Sequence, residues 1–232
     1  MTLLERASTS LTITNCDTDS NQGDFGGIPG GSCYTAKIYG CAGEPDGNTP
    51  FIARVKINPN GVNPFKGVVF FITGGGGTNW YDNDPLWVDP DPNNQCNEVQ
   101  NNSTNNCGHQ VVAKLNNAGY ITVQAIMTEK NQMPTEQAGW LMGSATNPVF
   151  DGPRALACRY ATLMHFVWTD LLVRAQPVCA TGNSGGSAAI AYALTQYGLG
   201  KASGPSPVLS FAELTSGPPL RSDRPWLQCE FA

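Results

Sequence analysis

The chain has 232 residues and a formal net charge of −5, with 41% hydrophobic and only 13% charged residues. This composition predicts a globular protein, and the length suits a single domain spanning residues 1–232. The scarcity of basic residues argues against a nucleic-acid partner, and no apolar run approaches the roughly 20 residues that a membrane-spanning helix needs.

The first predicted strands show alternating apolar and polar residues. This pattern occurs in SCYTAKIYGC, residues 32–41, and in FIARVKINPN, residues 51–60. The next segment, GVVFFIT at residues 67–73, is continuously apolar and rich in β-branched residues. Such a run is typical of a strand that is buried on both faces within a mostly parallel sheet.

Predicted helices and strands alternate after residue 108. The strands are short apolar runs, and the longest helix places Leu156, Tyr160 and Leu163 at amphipathic spacings. In chain order, we expect a helix over 109–119, a strand over 120–127, a helix over 152–175 beginning near Pro153, a strand over 177–181, a helix over 187–200 and a strand over 208–216. This alternation predicts an α/β fold with a mostly parallel central sheet flanked by helices.

The pentapeptide GNSGG, residues 182–186, separates the strand over 177–181 from the alanine-rich helix that follows. Chymotrypsin-like proteases also contain Gly-x-Ser-Gly-Gly, but their serine lies between strands of an all-β fold. A strand, a sharp turn flanked by glycines and then a helix are typical of a nucleophile elbow. Small residues are required at Gly182 and Gly186 because the strand and the helix pass closely there.

A tetraglycine, Gly74–Gly77, follows the buried strand over 67–73. With the elbow at Ser184, it makes roughly residues 50–220 resemble the α/β-hydrolase superfamily. The resemblance implies that Ser184 is a nucleophile, since similar esterases and lipases place their catalytic serine on this turn.

In those esterases and lipases, a glycine-rich loop supplies half of the oxyanion hole. The resemblance therefore implies that the N–H group of Gly75 or Gly76, together with that of Gly185, binds the oxyanion. The histidine of the family's glycine motif is replaced here by Thr73 or Gly74, so only the backbone role is carried over.

The order of a triad in this superfamily is nucleophile, acid, histidine, but no histidine follows Ser184. His165 lies in the helix before the nucleophile strand and is predicted to be structural. His109 closes the loop after the tetraglycine and is a secondary candidate for the base. Asp223 is a candidate acid at a position that a minority of the superfamily uses, and Glu213, within the last predicted strand, is a weaker one.

The superfamily's sheet continues for about two further strands, which normally deliver the histidine. We therefore expect residues 1–232 to be a C-terminally truncated copy that lacks the last strands of the fold and shows little or no turnover. The N-terminal segment has neither a basic region nor an apolar core, so it is not a signal peptide, and we expect the natural start to lie upstream.

Eight cysteines, several of them in polar loop sequence, predict disulfides. The short spans Cys33–Cys41 and Cys96–Cys107 are the expected pairs. Overlapping glycosylation sites at Asn101 and Asn102 point the same way, towards a secreted protein. The alternative is a cytosolic protein with buried reduced thiols. Because there is no CxxC and only two histidines, neither a metal nor a cofactor is predicted.

These features predict a secreted serine hydrolase that cleaves a small-molecule or polymeric carboxylic ester through an acyl-enzyme on Ser184. Two alternatives remain open: a peptidase of the α/β-hydrolase fold, and a binding protein on the same fold that has lost catalysis. Three aromatic residues after the tetraglycine either form a wall for an acyl or sugar group or pack the loop; they are Trp80, Tyr81 and Trp87.

Overall fold

The computed structural model describes residues 8–14, 31–39, 41, 51–59, 64–83, 107–127, 156–172, 175, 177–199 and 209–216. The strands in this part of the chain are β1 (Ser8–Thr14), β2 (Ser32–Tyr39), β3 (Phe51–Asn58), β4 (Gly67–Ile72), β5 (Tyr120–Ile126), β6 (Val178–Asn183) and β7 (Leu209–Thr215). The helices are α1 (Cys107–Asn117), α2 (Cys158–Phe166) and α3 (Gly185–Gln196). A 3₁₀ turn spans Tyr81–Asn83, and a π-helical turn, Val167–Leu171, continues α2.

The described strands form one seven-stranded sheet in the order β1-β2-β3-β5-β4-β6-β7. The strands β4, β5, β6 and β7 pair in parallel, while β1, β2 and β3 join them through antiparallel pairings. As a result, β1 and β3 run against the common direction of the other described strands. The predicted α/β fold with a mostly parallel sheet flanked by helices is confirmed. The single-domain organisation and the absence of the last strands stay predictions.

The apolar strand β4 lies at the centre of the parallel region, and its two faces enter different cores. Val68, Phe70 and Ile72 pack into the larger core beneath α2 and α3. Val69 and Phe71 point to the opposite face, where they form a smaller cluster with residues of α1 and the 3₁₀ turn. All six residues of β4 are buried, as the uninterrupted apolar run predicts.

Helix α2 is not the amphipathic helix that its spacing predicts, because every residue from Cys158 to Met164 is buried. The helix packs against α3, β1 and β2, so it has no solvent face over this stretch. Arg159 is accommodated with its guanidinium carbon 4.3 Å from the centre of the Phe51 ring. Despite this apolar character, no helix in the described ranges has the length and hydropathy that a membrane crossing requires.

The cysteine pairing differs from the predicted one. Cys41 is bonded to Cys158, with 5.7 Å between their Cα atoms, so the predicted Cys33–Cys41 bridge is wrong. The reason is geometric. Cys33 and Tyr39 lie near opposite ends of β2, about 20 Å apart at ~3.3 Å per residue. Cys41 lies only two residues beyond Tyr39, so it cannot come back within disulfide distance of Cys33. The predicted Cys96–Cys107 pair lies outside the side chains that the structure describes.

Candidate functional site

Ser184 occupies the turn between β6 and α3, the position that the pentapeptide predicts. Its backbone has φ 50° and ψ −115°, and its side chain is exposed. A non-glycine residue in such a conformation costs roughly 1–3 kcal/mol and persists only where its surroundings enforce it. The Ser184 N–H donates to the Thr215 carbonyl oxygen at 2.8 Å, and its own carbonyl accepts from Ala188 at 3.1 Å. The all-β protease arrangement is therefore excluded.

Glycines on both sides of Ser184 allow β6, α3 and β4 to approach one another. A Cβ atom at Gly182 would lie 2.8 Å from the Gly186 carbonyl carbon. A Cβ atom at Gly186 would lie 2.5 Å from the carbonyl oxygens of Ile72 and Thr73. Since real Cβ atoms do not approach other atoms so closely, no larger residue fits either position without movement of the backbone.

The glycine loop, Gly74–Gly77, leaves β4 and lies directly against the Ser184 turn. A Cβ atom at Gly74 would be 3.4 Å from the Ser184 Cβ, and one at Gly185 would overlap the carbonyl oxygen of Gly75. The loop is closed by a hydrogen bond from the Gly77 N–H to the Gly74 carbonyl at 3.0 Å. The structure thus brings Ser184, Gly185, Gly75 and the adjoining Gly76 together at one place.

Two hydroxyl groups that the sequence analysis did not single out support the Ser184 turn. The Ser187 hydroxyl points at the carbonyl oxygens of Gly182 and Thr215, and the latter is 2.7 Å away. The Thr215 hydroxyl donates to the Gly182 carbonyl at 3.1 Å. These contacts join the first turn of α3 and the end of β7 to the end of β6, directly before Ser184. No sequence pattern marks the two residues, because they meet only in the folded chain.

The segment after the glycine loop turns back onto the sheet. The Thr73 hydroxyl donates to the Asn79 carbonyl at 3.1 Å, and the Tyr81 ring contacts Phe71 with 4.8 Å between ring centres. Trp80 and Tyr81 are each only 5% exposed, so both pack the loop and neither presents a wall to a substrate. Trp87 lies outside the described residues.

The remaining predicted groups are dispersed. His109 lies in the first turn of α1, the helix that precedes β5 along the chain. His165 is half-buried on α2. Glu213 on β7 accepts a hydrogen bond from the Thr181 hydroxyl at 3.3 Å. Asp223 and the glycosylation sites Asn101 and Asn102 lie outside the described residues.

Neither a protein-family model nor a curated protein matches the chain. Solved structures that resemble it include the dienelactone hydrolase from Anabaena variabilis, at 20% identity over 62% of this chain and 51% of that chain, with a TM-score of 0.35. The bacterial brefeldin A esterase has 15% identity over 91% of this chain and 40% of its own, with a TM-score of 0.39. Candida antarctica lipase A in its closed state has 14% identity over 83% and 43%, with a TM-score of 0.38.

The chain therefore spans about half or less of the length of each of these proteins. By name they are a hydrolase, an esterase and a lipase. The assignment of the fold itself depends on the strand order and on the strand, turn and helix around Ser184.

Proposed function

We propose that the chain is a serine hydrolase that cleaves carboxylic esters through an acyl-enzyme on Ser184. The observation that carries the proposal is the backbone of Ser184, an exposed non-glycine residue at φ 50° that faces the glycine loop. Strained residues of this kind cluster at active sites, where the surrounding structure maintains them. The strand, turn and helix around Ser184 are the setting of a nucleophile elbow.

In the proposed reaction, the Ser184 hydroxyl oxygen attacks the ester carbonyl carbon while a base takes the hydroxyl proton. The resulting oxyanion is bound by the N–H of Gly185 and by that of Gly75 or Gly76. Gly185 is suited to this role because the first N–H groups of a helix have no partner within it and lie at the positive end of its dipole. Loss of one such donor typically costs about 3–4 kcal/mol of transition-state stabilisation.

The tetrahedral intermediate then collapses, and the leaving alkoxide takes the proton from the base. Water then attacks the carbonyl carbon of the acyl-Ser184 ester while the same base takes its proton. The bond from this carbon to the Ser184 oxygen breaks, that oxygen takes the proton from the base, and the acid leaves. We expect the base to be the histidine that the superfamily resemblance implies on later strands. His109 is the secondary candidate for the base within residues 1–232, and Asp223 is the candidate acid.

We also propose that the protein is secreted. Cys33, Cys41, Cys158 and Cys179 are all disulfide-bonded, and disulfides persist in oxidising compartments. The substrate would be a small or polymeric ester. A peptidase with the same Ser184 turn is the second candidate, and a parallel panel of p-nitrophenyl esters and aminoacyl amides distinguishes the two by kcat/KM.

The test measures p-nitrophenyl acetate hydrolysis by residues 1–232, by a version extended at the C-terminus, and by the Ser184→Ala variant of each. We expect the extended version to be active and to lose turnover in Ser184→Ala. Hydrolysis that survives this substitution would overturn the proposal. The His109→Ala variant of residues 1–232 assigns the base: strong turnover that disappears with this change would make His109 the base and refute the expected dependence on later strands.

A further inference from the structure

A buried polar group lies on the sheet face beneath α1, close to the glycine loop. The Lys56 ammonium is 3.3 Å from a carboxylate oxygen of Asp82, and the two side chains are only 3% and 1% exposed. The Asp82 backbone N–H donates to the side-chain oxygen of Gln124 at 2.9 Å. The proposed reaction uses none of these three residues.

The three residues connect the glycine loop to the middle of the sheet. Lys56 on β3 pairs in register with Gln124 on β5, and Gln124 pairs with Phe71 on β4. The chain leaves β4 after Ile72 and forms the glycine loop next to Ser184. It then returns to the sheet at Asp82, which contacts Lys56. The loop is therefore held at one end by β4 and at the other by Lys56 and Gln124.

A buried ion pair is a poor source of stability, because removing two charges from water costs about as much as their attraction returns. Apolar residues of similar size often serve the fold equally well. The polar contacts instead restrict geometry, because each of them forms only over a narrow range of positions of Asp82. The fully buried amide of Gln124 in β5 is consistent with such a local constraint.

We propose that Lys56, Asp82 and Gln124 are positioning residues that hold the glycine loop, Gly74–Gly77, against Ser184. This inference rests on the proposed role of the loop in binding the oxyanion. It assigns no contact with substrate to the three residues. Their effect is to fix where the loop's N–H groups lie relative to the serine, and small displacements of such groups are costly to the rate.

The first test replaces the ion pair by apolar residues in the variant Lys56→Met/Asp82→Leu. We expect the amides of Gly77 and Met127, which donate within and next to the loop, to exchange with solvent at least about tenfold faster. The Leu209 amide, bonded to Leu199 away from the loop, should exchange at the wild-type rate. The matched control is Lys114→Met/Asp170→Leu, which removes the same charges from exposed positions.

Ester hydrolysis supplies the second readout. In the ion-pair variant, kcat should fall by roughly 10- to 100-fold with little change in KM, because the loop acts on the transition state and not on the bound ester. A merely structural role would lower the fraction of folded enzyme and leave kcat per folded molecule unchanged. Where residues 1–232 show no turnover, the exchange rates alone decide the inference, so its failure is distinguishable from a failure of the proposed function.

Should the ion-pair variant not fold, Gln124→Met provides an independent test, since it removes the acceptor of the Asp82 N–H and leaves both charges. The same rise in Gly77 exchange is expected. The inference would be overturned if the Gly77 and Met127 amides of a folded variant exchanged at the wild-type rate. An unchanged kcat in such a variant would also overturn it.

Discussion

The carboxyl edge of the sheet and the layer formed by α2 are built in opposite ways. At the edge, Gly75, Gly77, Ser184 and Ser216 all have positive φ, and Ser184 is exposed. In α2, the seven residues from Cys158 to Met164 are all buried, and none of them has a positive φ. Among the described residues, the non-glycine residues with a positive φ, Ser184 and Ser216, thus both lie at the edge where the strands β6 and β7 end.

The two regions therefore have separate roles. The buried layer holds the strands in place, and the ends of those strands then impose their conformations on Ser184 and the glycine loop. Substitutions in the layer should therefore change the free energy of unfolding, whereas substitutions at the edge should change turnover. Each prediction below tests that separation.

The largest effect is expected from the bond that joins α2 to the segment after β2. The Cys41–Cys158 bridge spans 117 residues, so the Cys41→Ala/Cys158→Ala variant should lose about 4–5 kcal/mol of unfolding free energy. Urea denaturation measures this loss. At a temperature where both proteins are folded, kcat should be unchanged, and a parallel fall in kcat would contradict the separation of the two regions.

At the edge, Gly185→Ala should lower kcat by on the order of 10²-fold, equivalent to about 3 kcal/mol. The added methyl group would overlap the Gly75 carbonyl oxygen and displace the loop. The control is Gly198→Ala, which also adds a Cβ atom at a positive φ, +77°, but lies beyond the far end of α3. That change should cost about 1–2 kcal/mol of stability and much less of kcat. Wild-type turnover in Gly185→Ala would argue against a role for this contact.

A smaller effect is expected from the hydroxyls that support the Ser184 turn. Ser187→Ala and Thr215→Val should each lower kcat roughly 3- to 10-fold, because each removes a hydrogen bond of about 1 kcal/mol. Thr215→Ser should restore the activity. In the matched control, Thr195→Val removes a 2.9 Å hydroxyl bond to the Ala191 carbonyl near the far end of α3. An equal loss of kcat in that control would contradict a specific role of the Ser187 and Thr215 hydroxyls at the Ser184 turn.

The smallest effect concerns Tyr160 in the buried layer. Its hydroxyl has no hydrogen-bond partner in the described part of the chain, and burial raises the pKa of the phenol above its usual range. Tyr160→Phe should therefore raise the unfolding free energy at neutral pH by about 0.5–1 kcal/mol. Urea denaturation of the wild type and the variant measures the difference, and a loss of stability in Tyr160→Phe would reveal a partner for the hydroxyl.

The same residue gives a dependence on pH. Since the folded-state pKa is raised, the neutral phenol is retained in the folded protein while the unfolded chain ionises above about pH 10. Wild-type stability should consequently fall more steeply than that of Tyr160→Phe above this pH. Parallel stability curves for the two proteins at alkaline pH would contradict this assignment.

The sequence is most informative where a local pattern determines the structure. The apolar runs of β4, β5 and β6 and the glycine-flanked serine predict the sheet and the turn, because burial and backbone conformation are local properties. The strand β1 is not predicted, since only Leu11 and Ile13 are apolar in it. The burial of α2 on all sides is also missed, because it depends on which elements cover the helix.

Contacts between distant residues could not be predicted. The spacing of cysteines favours short bridges, but Cys41 meets Cys158 through the packing of α2. The approach of Thr215 to Gly182 and of Asp82 to Lys56 likewise arises from the strand order, which no local pattern encodes. Gln124, a polar residue in an apolar strand, is the one member of the polar group that the sequence could have indicated.

The central claim, that the strained turn makes Ser184 the nucleophile, is tested most directly by covalent labelling. The protein is treated with a fluorophosphonate, and the adduct is located by peptide mass spectrometry. The account predicts one adduct, on Ser184, that is absent in Ser184→Ala and forms more slowly in Gly185→Ala. An adduct on another residue, or labelling that persists at the same rate in Ser184→Ala, would contradict it.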